Sequence, residues 1–456
     1  MVKRVDADGE VLDLIKLEQK RESNVLEMIP SENYASWQVM QAVGSVFMNK
    51  YAEGYPGKRY YQGNEAVDKL ERLAQDRAKK LFDVPFVNVQ PYSGSPANLA
   101  ILSALCNPGD KILSQHLSHG GHLSMGQTAS VTSRFFNAVY YHMGEDGEID
   151  WEELELQAEK HKPKIIFSGG TGYTKIFKWE KYAGVADKVG AYFVADISHI
   201  AGLVAGGVHP SPVPWAHVVM TTTHKTLRGP RGAMIMVTDR GLVKDPNLGE
   251  KVDRTVFPGI QGGPHMETVA GIAVALKEAQ GRMFKKYAVQ TVKNAEIVAG
   301  ELKKRGYDLI GGGTENHMIW INLRNKGIDG WTAAWALEAA GIVVNRQTIP
   351  GDQRSNYYPS GLRLGTPALT TRGMKEKEMR MIVSWIDEVI NVARVMVEDE
   401  AYAGMGGDER VKDQAARRVF KGKVFEKREI LEIRSAVLRL CREFPLGKAG
   451  GYTWQQ

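Results

Sequence analysis

The sequence predicts an α/β protein with a mainly parallel central sheet and a smaller C-terminal α/β domain. Two observations carry this. Between Val87 and Val237 short apolar runs alternate with helical segments, the pattern of a sheet covered by helices on both faces. After a glycine-rich break, "FPGIQGGP" (257–264), strand-like and helix-like segments resume on a smaller scale. A length of 456 residues accommodates two such units.

Taken in order, residues 1–40 are charged and read as a helical arm. Residues 41–80 are rich in tyrosine, glycine and charge, with a helical pattern from about Ala66. Strands are expected at "FVNV", "KIL", "KIIFSG", "AYFVADI", "HVVM" and "AMIMV". Helices lie between them at "NLAILSAL", "WEELELQAEKH" and "KYAGVADKVG". Past the glycine-rich loop come a helix over Met266–Ala279 and another running through Leu302. The smaller unit then reads as "HMIWINL", the helix "GWTAAWALEAAG", "IVVN", "GLRLGTPAL" and a helix around Glu376–Val395. Residues 404–427, glycine-rich and then basic, read as a mobile loop before a last helix over Ile430–Glu443. The expected division is an N-terminal arm (1–40), a large domain (41–280) and a small domain (281–456).

Composition narrows the function. A net charge of +6 over this length is too diffuse to argue for nucleic acid. A silent RNA-binding or scaffold role is weakly permitted by the net charge of +6 and the basic 410–427 region, but no aromatic-and-basic reader motif is present. Two cysteines exclude a disulfide framework and a cysteine metal site. With no signal peptide, they point to a reducing cytoplasm. No apolar run reaches the roughly 18 residues of a membrane helix.

The chemistry concentrates in "HVVMTTTHKTLRGPRGAMIMV". Here Lys225 follows a buried strand and sits among Thr221–Thr223, His224 and two arginines. An amine there suits Schiff-base catalysis if its surroundings keep it deprotonated. Ligands of open α/β sheets bind outside the carboxyl ends of the strands. The preceding strand, "AYFVADISHIAG", ends on Asp196, with His199 three residues on. Asp196 is either a turn cap or the carboxylate that faces a cationic ring nitrogen, as pyridoxal phosphate (PLP) requires. Upstream, Gly94 and Ser95 open a helix whose free N–H groups favour a phosphate. His119 and His122 lie on a glycine-rich loop with no acidic residue at ligand spacing. A ring stacked on a flat cofactor is therefore the better reading than a metal, and no metal is expected.

In these motifs the chain resembles the serine hydroxymethyltransferases over nearly its whole length. The matching stretches are "PSENYAS", "NKYAEGYPGKRYY", "NVQPYSGSPAN", "SHGGHLS", "ADISHIAGLVAGG", "TTTHKTLRGPRG", "FPGIQGGPH" and "SGLRLGTPALTTRG". The resemblance implies the fold type I, aspartate aminotransferase-like architecture of PLP enzymes. It also implies residue roles. Lys225 would hold PLP covalently, Asp196 would pair with the pyridine nitrogen, His122 would stack on the ring and His199 would lie near the phenolic oxygen. Gly94 and Ser95 would bind the phosphate with Gly262 and Gly263 of a neighbouring subunit, and Thr171 and Thr222 would complete the cofactor site. Arg363 would clamp the substrate carboxylate as a planar fork, assisted by Ser31. Tyr51, Glu53 and Tyr61 match the segment that enters the partner's site, with Glu53 managing protons and His224 beside the lysine.

The implied activity is reversible conversion of serine and tetrahydrofolate, or another reduced pterin, to glycine and the methylene-pterin, through PLP aldimine and quinonoid stages. The nearest alternative is a folate-independent aldolase for β-hydroxy amino acids such as allo-threonine. For the pterin the resemblance implies Glu53, Leu117, Gly121, Leu123, Gln347, Ser355, Asn356 and Tyr357. The chain departs from the family's pattern at two places. Gln347 stands where an asparagine is usual, and Met125 where many relatives carry histidine. Sites shared between subunits imply a homodimer or larger assembly, with small-molecule substrates and no membrane or nucleic-acid partner.

Overall fold

The computed structural model describes residues 8–144, 146–399 and 410–446. Seven strands form the central sheet: β1 (Phe86–Asn88), β2 (Lys111–Gln115), β3 (Asn137–Tyr141), β4 (Ile165–Ser168), β5 (Tyr192–Asp196), β6 (Val218–Thr222) and β7 (Ala233–Val237). Their order across the sheet is β1-β7-β6-β5-β4-β2-β3. Only β7 runs against its neighbours, β6 and β1. The mainly parallel sheet read from the sequence is therefore present.

The strand sequences explain the layering. β4, β6 and β7 are buried at every position, as expected where helices cover both faces. Successive residues point to opposite faces. Ile166, Phe193, Ala195, Val219, Met234 and Met236 join one apolar layer. Ile165, Phe167, Val194, Val218, Met220 and Ile235 join the other. β3 was not anticipated. "NAVYY" is an edge strand, buried only at Tyr141, so it lacks the apolar run that marks its neighbours.

A second, antiparallel sheet contains β8 (Asp308–Leu309), β9 (Met318–Asn322), β10 (Asn345–Gln347) and β11 (Gly361–Gly365), in the order β8-β9-β11-β10. Its core is shared with the helices Arg282–Lys304, Gly330–Ala339, Glu376–Val397 and Arg428–Glu443. The N-terminal segment is helical over Gly9–Ser23 and Trp37–Val43. Between those helices Leu26–Glu27 pairs in parallel with Ile342–Val343, and Leu26 and Met28 enter the C-terminal core. Arg372 locks this joint. Its guanidinium is 2% exposed and donates to the carbonyls of Val25, Ser23, Cys441 and Phe444 at 2.8–3.1 Å.

One expectation is overturned. Residues 410–424 form a helix, Arg410–Val424, and not a loop. Ala416, Phe420 and Val424 recur every fourth residue and are buried, so an apolar stripe exists beneath the basic charge. Residues 404–409 of the expected loop lie outside the described residues. Among the described residues no helix is long and apolar enough to cross a membrane.

Candidate active site

β1, β2, β4, β5 and β6 are mutually parallel, so their carboxyl ends share one edge of the sheet. The loops leaving that edge build a pocket lined by Ser93, Gly94, Ser95, His122, Thr171, Asp196, His199, Thr222, His224 and Lys225, with Met125, Gly170, Ser198 and Met220. Nine cofactor or catalytic candidates named from the sequence thus meet in one cavity.

Lys225 rides on an arch between the antiparallel neighbours β6 and β7. The arch is closed at its base, where Thr223 N–H donates to Gly232 O at 3.1 Å and Gly229 N–H to Thr223 O at 2.7 Å. The Thr223 hydroxyl donates to Pro230 O at 2.6 Å, and Arg228 takes the left-handed conformation (φ 60°) that lets the chain turn back. From outside, Asn33 Nδ2 donates to Lys225 O at 3.1 Å. The Arg228 guanidinium sits 4.6 Å from the Tyr287 ring centroid. Burial pushes the Lys225 amine down to about 8, with Arg363 and Arg231 acting the same way and Asp196 opposing. A larger neutral amine fraction near neutral pH than an ordinary lysine keeps suits a nucleophile.

Asp196, at the end of β5, is 8% exposed. Its Oδ1 accepts from Ser198 N–H at 2.9 Å and its Oδ2 from Asn98 Nδ2 at 3.1 Å. Asn98 also donates to Ser124 Oγ at 2.9 Å, and Ser124 Oγ lies 2.7 Å from His122 Nδ1. A carboxylate, an amide, a hydroxyl and an imidazole are thus linked along one wall. Burial lowers the pKa values of His122, His199 and His224, the last to about 3. All three rings are therefore neutral near pH 7, and His224 has no proton to give as an imidazolium. Among the described residues, His199 Nδ1, His224 Nδ1 and Thr222 Oγ1 are buried without a hydrogen-bond partner.

The helix-start end of the pocket is equally specific. Gly94 opens the helix Gly94–Leu105, and no side chain caps it. A Cβ on Gly94 would lie 2.7 Å from Thr222 Cγ2, so only glycine lets the helix start approach β6 this closely. An anion fits that end, where first-turn N–H groups are free. The lysine, the carboxylate, the neutral imidazoles with open nitrogens and the bare helix start together fit PLP.

Arg363, in β11, belongs to the smaller sheet and reaches back across the site. It donates to Thr171 O and, through Nε, to Asn345 Oδ1 at 3.2 Å. It is 7% exposed, burial lowers its pKa to about 10, and it makes no salt bridge among the described residues. A buried guanidinium held only by neutral oxygens is ready for an anionic ligand. Ser31 follows Pro30, which packs on Gly365 two residues beyond Arg363.

Other candidates lie elsewhere. Tyr51 and Gly263 line a second surface hollow with Lys50, Tyr92 and His265, and Glu53 and Gly262 lie beside it. Tyr51 and Tyr61 meet edge to face with centroids 5.8 Å apart, and both are exposed. None of these residues lines the Lys225 pocket. Leu117, Gly121 and Leu123 flank it on the His116–Ser124 loop. Gly121 is sterically required there, because a Cβ would sit 2.0 Å from Gln115 O. Gln347 ends β10, while Ser355, Asn356 and Tyr357 stand exposed on the following loop.

The sequence reading missed Asn98, Ser124, Ser198, Asn33 and Asn345, each of which bonds a site residue. Asn98 carried a signal, since it is the one amide in "NLAILSAL", about one turn past Ser95. Met125 is buried and lines the pocket wall.

Comparison with known proteins agrees with the geometry. Residues 4–386 match the serine hydroxymethyltransferase family model. The serine hydroxymethyltransferase of Desulfotalea psychrophila is 51% identical over 384 residues, covering 84% of this chain and 89% of that protein. Its namesake from Acidothermus cellulolyticus is 50% identical over 399 residues (87% and 92%). That of Halorhodospira halophila is 46% identical over 439 residues (96% and 97%). With a buried strand-end lysine, a buried carboxylate in the same pocket and this breadth of match, the chain belongs to the serine hydroxymethyltransferase family.

Proposed function

We propose that the Lys225 pocket moves the hydroxymethyl group between serine and a reduced folate, with PLP held covalently by Lys225. The observation that carries this is the buried lysine, lowered to about 8, in one cavity with Asp196 and an uncapped helix start. When bound, PLP supplies an electron sink for the substrate α-carbon.

The chain's own groups do the rest. The Lys225 amine would hold the cofactor and give way to the amine of the amino acid. Asp196, fixed by Asn98 and Ser198, holds positive charge on the ring nitrogen. Neutral His122 offers a flat face, and His199 offers a nitrogen free to bond a ring oxygen. Arg363 and Ser31 orient the substrate carboxylate, which aligns the scissile bond and keeps water out. Glu53 with Tyr51 and Tyr61 moves the proton of the substrate hydroxyl, and Gly262 and Gly263 meet the phosphate, all from a second subunit. The pterin is tetrahydrofolate, or a related reduced pterin, placed by Leu117, Gly121, Leu123, Gln347 and the Ser355–Tyr357 loop.

A homodimer is supported by the separation of the Tyr51–Glu53 hollow from the Lys225 pocket. The exposed Val11, Leu14 and Leu17 on the Gly9–Ser23 helix support it as well. Free, buried Cys106 and Cys441 support a cytoplasmic location. The division into a 41–280 cofactor domain and a 281–456 small domain is supported by the separate core of the smaller sheet, although Phe284, Tyr287, Ala288, Trp320 and Ile349 pack into the core of the larger one. Nothing in the comparisons favours the folate-independent aldolase.

The test is serine cleavage by the PLP-loaded protein with and without tetrahydrofolate, followed by glycine release and by cofactor absorbance. Strong folate dependence and loss of the cofactor band in Lys225→Ala are expected. Folate-indifferent turnover, or an unchanged band in that variant, contradicts the assignment.

A further inference from the structure

The family match ends at residue 386, and the helix Arg410–Val424 lies beyond it. That helix sends one cation into the joint beneath the 351–358 loop. Arg417 is 2% exposed. Its Nε donates to both oxygens of Asp413 at 2.9 Å, and its Nη2 to Asp329 Oδ2 at 2.7 Å. The guanidinium lies 4.0 Å from the Tyr358 ring centroid and 5.1 Å from that of Trp331.

Asp329 divides its carboxylate between two tasks. Oδ1 caps the Gly330–Ala339 helix through Thr332 N–H at 2.8 Å. Oδ2 accepts from Arg417 and also from Arg354 Nη1 at 3.1 Å. Arg354 and Tyr358 both belong to the 351–358 loop. One guanidinium therefore touches the end of the loop directly and its middle through a single carboxylate. Further holds are Asp352, which accepts from Ser360 N–H at 2.9 Å and from Ser360 Oγ at 2.8 Å, and Arg324, whose Nη2 donates to Gly351 O at 2.7 Å. Between these anchors Ser355, Asn356 and Tyr357 stand exposed, with the Arg346 guanidinium 4.2 Å from the Tyr357 ring centroid.

A buried ion pair is a costly fastener, and an apolar contact of similar volume holds two elements together as well. What the pair adds is direction, because a planar fork accepts its partners only in fixed orientations. We propose that Arg417 is a positioning residue for the pterin: it fixes the Ser355–Tyr357 loop and thereby sets affinity for the reduced folate, without touching the amino-acid pocket. This rests on the assignment of that loop to the pterin made above.

The test uses the PLP-loaded protein and the variants Arg417→Leu, Arg417→Lys, Arg354→Ala and Tyr357→Ala. Tetrahydrofolate affinity is measured by calorimetry with glycine present. Glycine affinity without folate is read from cofactor absorbance, and loop mobility from amide hydrogen exchange. Arg417→Leu and Arg354→Ala are expected to weaken tetrahydrofolate about tenfold and to speed exchange over 351–358, with glycine affinity unchanged. Arg417→Lys should restore part of the affinity, since it keeps the charge but not the fork.

The proposal is overturned if both variants bind folate normally, or if glycine affinity falls in parallel. Weakening in Tyr357→Ala alone rejects the clamp and keeps the loop as the pterin site. No effect in Tyr357→Ala, Arg417→Leu and Arg354→Ala rejects both. If Arg417→Leu does not fold, Arg354→Ala decides the matter, because its side chain is 42% exposed and outside the buried helix contact.

Discussion

Asn98 Nδ2 donates to Asp196 Oδ2 at 3.1 Å, bridging the first helix of the cofactor pocket and the end of β5. The amide holds that carboxylate oxygen in place at the pocket wall. Asn98→Leu leaves that oxygen without its donor. PLP binding to the apo-protein is expected to weaken about tenfold or more, measured by titrating absorbance. An unchanged affinity would show that Asp196 orients itself.

The Lys225 amine, ordinarily near 10.5, is held at about 8 by burial. In the apo-protein the folded state thus binds fewer protons than the unfolded chain between those two values. The resulting stability is fully present above 10.5 and is lost as pH falls to about 8. Melting temperatures of apo wild type and apo Lys225→Met across this window are the check. The rise with pH should be smaller in the variant. PLP capture by the wild type should also gain rate through a midpoint near 8.

Arg372 joins the C-terminal ends of the Gly9–Ser23 and Arg428–Glu443 helices through backbone carbonyls. Arg372→Met removes the donors and leaves buried acceptors unpaired. A loss of about 3 kcal/mol is expected from denaturation of the apo-protein, with little change in Lys225 absorbance once PLP is bound.

Glu53 packs beside Gly262 and Gly263, at the edge of a hollow separate from the Lys225 pocket. If a subunit lends Glu53 to its partner, then Glu53→Gln and Lys225→Ala are each inactive alone. Mixed and re-associated, they should recover about a quarter of wild-type activity, because half the dimers carry one intact site. No recovery in proven heterodimers would place Glu53 in its own chain's site.

The parallel sheet and the cavity lining were legible because buried strands and the loops behind them are local in sequence. Lys225, Asp196 and Gly94 each stand at the end of a recognisable run. What escaped is non-local or masked by charge. Asn33 reaches Lys225 across 192 positions. β3 escaped because only one of its residues is buried. The Arg410–Val424 helix hid its buried Ala416, Phe420 and Val424 among arginines and lysines, and its buried Asp413 and Arg417 look like solvated charge until the structure pairs them.

The arch bearing Lys225 is tied at both feet into the same sheet, since β6 and β7 are adjacent and antiparallel. On the proposed chemistry the amine leaves the cofactor in every turnover and must return. Because the backbone beneath it stays tethered, only the side chain swings. Recapture is then an intramolecular event whose search space closed when the protein folded, and product release need not wait on any reordering of the chain.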